Sequence, residues 1–250
     1  MIFKQLFESE SSTYTYLLGC EQTGLAILID PVLETSERDL EELNTLKLKL
    51  AYTLETHIHA DHLTGALRLK ALADSKIAAP KLDGLSCVDT GIEEGTAFSV
   101  GSISLRPLHT PGHTDNHHVY VIEQDSVSRL FSGDTLLIDG CGRTDFQNGD
   151  SKKLFHSVRE KLFVLPDETL LYPAHDYENR RVSSIAQEKK RNQRLNLDRT
   201  LDDFIEIMAN LKLPYPKKID CAVPGNRLCG QCAPDAPEWC RSPCDAHDQG

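Results

Sequence analysis

No apolar run in this chain is long enough to span a membrane. Its first residues, "MIFKQLFESESSTYTYLLG", lack the basic region and apolar stretch of a secretory signal, and they are acidic where a transit peptide would be Arg-rich. The expected compartment is the cytoplasm, or the mitochondrial matrix if the source is eukaryotic and the chain already processed. Positive charge is also scarce. Lys and Arg number 27 against 38 Asp and Glu, a formal net charge of −11. That leaves no surplus to neutralise phosphates, which argues against nonspecific binding to nucleic acid or anionic lipid. A small anionic substrate would need a local cationic anchor. No internal repeat is visible.

What is present is ordinary globular material, 250 residues with 40% hydrophobic and 26% charged side chains. The length suits one catalytic domain over residues 1–225 and a Cys- and Pro-rich tail over 226–250. Of eight cysteines, Cys20, Cys87, Cys141 and Cys221 are scattered, as reduced intracellular cysteines tend to be. Cys229, Cys232, Cys240 and Cys244 crowd the tail with spacing C-x2-C-x7-C-x3-C. Such spacing can bind zinc, form disulfides or carry sulfane sulfur. The short, Pro-rich segment favours a flexible or partly oxidised tail over a four-cysteine zinc site.

The first half reads as short strands, "YTYLLG" (14–19) and "LAILID" (25–30) with a turn near Gly24. A helix capped by Ser36 follows, with Leu40, Leu43 and Leu46 at helical spacing. "LAYTLET" (50–56) is a buried strand running into His57, and "LTGALRLKALAD" a helix. A hairpin over 96–110 turns at Gly101. "HHVYVIE" and "SRLFSGD" are strands, "SKKLFHSVREKLFVL" an amphipathic helix capped by Ser151, and "ETLLYPAHD" a strand. Helices fit 178–191 and 200–211. Beyond Pro214 periodicity is lost.

Within this pattern "THIHADH" (56–62) places three histidines and an aspartate together, and His113 in "TPGHT", Asp134 in "SGD" and His175 in "YPAHD" each follow a strand. Polar groups on loops at one edge of a rigid sheet form the usual arrangement for a site. Alternation sends His57 and His59 to the same side of an extended segment. Imidazole and carboxylate donors together suit zinc, iron or manganese rather than calcium. A lone histidine is usually a packed one, but burying this many His and Asp groups without an ion would be costly.

The four motifs, in this order, resemble the metallo-β-lactamase superfamily. The resemblance covers about residues 10–180 and implies an αββα four-layer sandwich, an α/β fold with the metal at one edge. The segment "SGDTLLIDGCGRTDFQ", the "PAHDY" stretch and the later "RNQRL" and "AVPGNRLCG" resemble the persulfide dioxygenase family more than the related glyoxalase II family.

That likeness implies one Fe(II) per chain held by His57, His113 and Asp134, a facial triad that leaves positions open for O2 and glutathione persulfide. It implies oxidation of the terminal sulfur to sulfite with release of glutathione. His59, Asp61, His62 and His175 would then orient ligands and hydrogen-bond water. In the alternative, a hydroxyacylglutathione hydrolase, the same four residues complete a binuclear site. The inventory of ligands does not choose between them. A third reading is a noncatalytic sulfur-carrier or redox-sensing protein working through the tail cysteines. Arg143 and Tyr177 are the implied glutathione contacts, with Asn226 and Arg227 weaker candidates. Cys141 and Cys229 fit packing as well as catalysis. His109, His117 and His118 are not expected to ligate metal. The partner is a small molecule, not nucleic acid or membrane, and a homodimer stays open.

Overall fold

A computed structural model describes residues 1–232. Cys240 and Cys244, and with them most of the tail, lie outside the described residues. The described residues divide into two compact units, 1–91 with 100–102 and 214–232, and 92–99 with 103–213.

The first unit is built on a six-stranded mixed sheet in sequential order. Its strands are β1 (Ile2–Glu8), β2 (Thr13–Gly19), β3 (Leu25–Ile29), β4 (Lys49–Leu54), β5 (Lys76–Pro80) and β6 (Thr90–Ile92). β1, β2 and β3 pair antiparallel, whereas β3, β4 and β5 pair parallel. The parallel pairs need crossovers, supplied by α1 (Ser36–Thr45) and α2 (Ala66–Ala73). β2 is buried along its whole length, and Leu17, Leu28, Leu43, Leu50 and Leu69 close a core beneath the helices.

The second unit carries the other six-stranded mixed sheet. Its strands are β7 (Phe98–Val100), β8 (Ile103–His109), β9 (His118–Gln124), β10 (Val127–Gly133), β11 (Leu170–Pro173) and β12 (Ser183–Ser184). Between β10 and β11 runs α3 (Ser151–His156), continued to Leu162 by a wider helical turn; α4 (Ile185–Arg191) and α5 (Leu201–Ala209) follow. Leu154, Val158, Leu162, Leu171 and Phe204 form its core. The last described helix, α6 (Ile219–Asn226), returns to the first unit and crosses the boundary drawn at residue 225.

Several expectations are corrected. β1 precedes the first predicted strand. The caps sit one residue earlier than read. Thr35 precedes α1, while Ser36 Oγ donates to the Leu33 carbonyl at 2.8 Å. Asp150 caps α3 by accepting from Lys153 N. The helix expected over 178–191 starts only at Ile185. α6 occupies a stretch read as irregular, even with Pro224 inside it. Cys87 and Cys221, read as reduced, are disulfide-bonded, Cys87 to Cys229. Cys232 is disulfide-bonded too, so neither Cys229 nor Cys232 offers a thiolate to zinc.

One buried charge has a measurable consequence. Asp39 on α1 is fully buried, paired with Arg38 at 2.7 Å, and its Oδ2 makes no hydrogen bond. Burial pushes its carboxyl up from 3.8 to about 6, against the pull of Arg38. A carboxyl raised on folding favours the neutral form, so its stabilisation is complete at low pH and is lost as pH rises through about 6. Asp39→Asn should therefore raise stability at pH 7.5 by at most roughly 3 kcal/mol. In urea titrations the advantage should shrink as pH falls toward 4.

Candidate metal centre

In the first unit the strand-to-loop junction after β4 carries the histidine-rich segment. Asp30, at the end of β3, reaches across to it. Its Oδ1 accepts from Thr56 N at 2.7 Å and its Oδ2 from Thr56 Oγ1 at 2.9 Å. With its proton committed to Asp30, Thr56 Oγ1 accepts from His57 Nδ1, 2.9 Å away. That order fixes the tautomer of His57 and leaves Nε2 as its donor to a metal.

His59 takes a different course. Its Nε2 lies 3.2 Å from Asp30 Oδ1 and 3.5 Å from Glu55 Oε2, with all three side chains buried. Burial opposes a charge on His59, and the two carboxylates outweigh it, so its pKa is raised well above the ordinary value. Burial likewise pushes the Glu55 carboxyl up. Glu55 also accepts from Thr64 Oγ1 at 2.6 Å. His62 Nδ1 lies 3.0 Å from Asp61 Oδ2, and its buried Nε2 has no hydrogen-bond partner. His59, Asp61 and His62 thus form one cluster, and Asp30, Glu55 and His59 another.

In the second unit the carboxylate end is built after β10. Asp134 N donates to His117 Nε2 at 3.1 Å, while His117 Nδ1 meets Thr110 and Thr135 hydroxyls at 3.2 and 3.0 Å. His117 is consumed in holding the backbone of Asp134. His109 bonds the Asp115 carbonyl and His118 the Asn116 carbonyl. Among the described residues none of these three joins a metal-capable group. His113 Nδ1 donates to the Arg143 carbonyl at 2.7 Å, which presents His113 Nε2 toward Asp134 Oδ2, 3.4 Å away. His175 Nε2 is 3.6 Å from Asp134 Oδ1, an atom that is buried and carries no hydrogen bond.

The G-C-G-R element shapes this corner. Gly142 N donates to Asp134 O at 2.8 Å, and a Cβ on Gly142 would lie 2.7 Å from His113 Nδ1. Only glycine lets the backbone pass there. Cys141 is buried in the core and burial pushes its thiol up to about 11. It packs and does not react. The Arg143 guanidinium grips Asp145 at 2.7 and 2.8 Å and covers Phe146. Tyr177 is 75% exposed and stacks on His175.

Each unit thus carries a histidine locked through Nδ1, and the second also a carboxylate with a buried oxygen that makes no hydrogen bond, donor types that suit a transition-metal ion. Sequence reasoning missed the groups that do the locking, Asp30, Glu55, Thr56 and His117. The structure gives Asn226, a weaker candidate for a glutathione contact, a different task. Asn226 is 4% exposed, and its side chain serves backbone groups of residues 59, 62 and 64. Arg227 is exposed.

The model of the metallo-beta-lactamase superfamily matches residues 9–175. Persulfide dioxygenase ETHE1 of Mus musculus, named as mitochondrial, is 46% identical over 231 residues, 92% of this chain and 89% of the relative. The crystal structure of ETHE1 from Myxococcus xanthus superposes with a TM-score of 0.88 at 48% identity, covering 92% of this chain and all of that one. A hydroxyacylglutathione hydrolase of Polaromonas is more distant, 36% identical over 70% of this chain and 66% of its own. Among the described residues no helix is long and apolar enough to cross a membrane.

Proposed function

The chain belongs to the persulfide dioxygenase branch of the metallo-beta-lactamase superfamily, and we propose that it oxidises the terminal sulfur of glutathione persulfide with dioxygen, giving sulfite and glutathione. It has the α/β fold of that superfamily, the αββα sandwich that the motifs implied.

His57, His113 and Asp134 would hold one Fe(II). A ferrous ion so bound supplies the one-electron chemistry that lets dioxygen react with a sulfane sulfur. The chain's own part is placement. Thr56 and Asp30 aim His57, the Arg143 carbonyl aims His113, and His117 fixes the backbone of Asp134. The Arg143 guanidinium offers a fork for a glutathione carboxylate, which would displace Asp145. Tyr177, exposed and stacked on His175, supplies a ring and hydroxyl for the same ligand in this reading. The enzyme acts in the cytoplasm, or in the mitochondrial matrix of a eukaryotic source.

The observation that carries the choice of one ion over two is the placement of His59. A binuclear hydrolase centre needs that ring as a ligand. Here its Nε2 faces two buried carboxylates at 3.2 and 3.5 Å, and neither ring nitrogen makes a hydrogen bond. The hydrolase reading draws support from His62, whose buried Nε2 lacks a partner, and from the more distant relatives.

The test is direct. Iron-loaded protein given glutathione persulfide should take up dioxygen in step with sulfite release, with one iron per chain. Equal product without oxygen would refute the proposal. So would two zinc ions per chain with rapid hydrolysis of S-lactoylglutathione.

A further inference from the structure

Asn226 ends α6 with its side chain turned into the first unit. Its Nδ2 donates to the carbonyls of His59 at 2.9 Å and His62 at 2.8 Å. Its Oδ1 accepts from Thr64 N at 2.8 Å. One amide therefore clasps both sides of the turn that carries Asp61 and His62. A small cavity lined by Glu55, His57, His59, Thr64, Leu85 and Asn226 lies behind this turn.

What holds the clasp is next along the chain. Cys229, 3% exposed, is bonded to half-buried Cys87, 142 residues away in sequence. The Cys229 carbonyl accepts from Leu67 N at 3.1 Å, and a Cβ on Gly230 would lie 2.0 Å from Thr64 O. Residues 225–231 are thus seated directly on residues 63–67. At the other end, Cys87 precedes Asp89, whose carboxylate accepts from Ile77 N at 2.8 Å and pairs with Lys70 at 2.7 Å. The disulfide ties the clasp-bearing segment to the turn between β5 and β6, which Asp89 pins to β5.

We propose that Asn226 is a positioning residue for the 57–64 loop and that the Cys87–Cys229 disulfide is a thiol-operated latch keeping it in place. The chemistry is ordinary exchange. A thiolate attacks the Cys87 sulfur, the more exposed of the two. The S–S bond breaks, a mixed disulfide forms on Cys87, and Cys229 leaves and takes a proton. A second thiol then frees Cys87 and departs as the external disulfide. Two thiols are oxidised and one protein disulfide is reduced. The reductant is a small thiol, the class to which glutathione, released in the proposed reaction, belongs. In the compartment proposed above disulfides are usually transient or sensory, which suits a latch better than a permanent staple.

The experiment uses the full chain, either oxidised or reduced with dithiothreitol, capped with iodoacetamide and desalted, then loaded with Fe(II). Amide hydrogen exchange is followed residue by residue, and iron release to a chelator is timed. Reduction should speed exchange at Thr64 and across 59–67 by roughly tenfold or more, leaving β2 and β3 protected. Iron release should accelerate by roughly tenfold to a hundredfold. Cys87→Ser opens the bond to Cys229 and leaves disulfide-bonded Cys221 and Cys232 untouched, so it should show the same two effects without thiol; wild-type behaviour of this variant would overturn the latch. Asn226→Ala should show both effects in either redox state, with reduction then adding nothing. Equal exchange in the two redox states overturns the proposal. So does an increase spread evenly over the sheet, or effects of reduction and Asn226→Ala that simply add. The iron readout rests on the proposed role of His57, whereas the exchange readout does not. Faster exchange with unchanged iron release upholds the latch and removes His57 from the ligand set.

Discussion

Asp134→Ala is expected to leave the protein folded, strip it of iron and lower dioxygen uptake with glutathione persulfide by roughly three orders of magnitude or more. Asp134 is the one carboxylate in the proposed ligand set, so without it two neutral imidazoles face a divalent cation with no charge to balance it. The fold should not suffer. The backbone of Asp134 is held through its N–H by His117 and through its carbonyl by Gly142, and alanine keeps both bonds. Its Oδ1 makes no hydrogen bond to lose. The thermal midpoint of the metal-free protein should therefore stay close to wild type. Asp134→Asn keeps the shape and loses the charge, and should still cost roughly tenfold to a hundredfold in iron affinity. Uptake above half of the wild-type rate in the alanine variant would end the assignment of this ligand.

The proposed ligand positions were legible because one local pattern recurs: a histidine or aspartate just beyond an apolar strand, several times over, is the usual layout of a site. His57, His113, Asp134 and His175 all follow strand ends, β4, β8, β10 and β11. The groups that aim them obey no local rule. Asp30 closes an apolar strand and reads as a turn residue, yet its partner Thr56 is 26 residues on and joined to it only because β3 and β4 pair in parallel. The Arg143 carbonyl that orients His113 is a backbone atom with no sequence signature.

Asn226 shows the same limit more sharply. Its partners lie up to 167 residues away, and its setting in "PGNRLCG" suggested a substrate contact. Pro and Gly neighbours concealed α6, because tertiary packing overrode propensity. The Cys87–Cys229 bond spans 142 residues, and spacing alone never reveals such a pairing. The helix caps differ from expectation by one residue, the ordinary width of a helix boundary.

Gly142→Ala should disable the centre by adding one methyl group to it. That carbon would stand 2.6 Å from Asp134 O, 2.7 Å from His113 Nδ1 and 3.0 Å from Asp134 Cβ. The first contact is backbone. The second is the nitrogen that must keep its 2.7 Å bond to the Arg143 carbonyl. To relieve the overlap, either His113 turns and loses that bond, or the loop after β10 moves and takes Asp134 with it. Both displace a proposed ligand. The overpacking itself should cost about 1–3 kcal/mol of stability, which a domain of this size survives. Iron affinity and dioxygen uptake should each fall roughly a hundredfold. Gly140→Ala is the matched control, because the nearest atom to its added carbon is Arg194 Cζ at 3.9 Å, ordinary contact. It should bind iron and turn over close to wild type. If both alanine variants behave alike, the tight corner at Gly142 does not govern the centre, and the orientation of His113 by the Arg143 carbonyl loses its functional meaning.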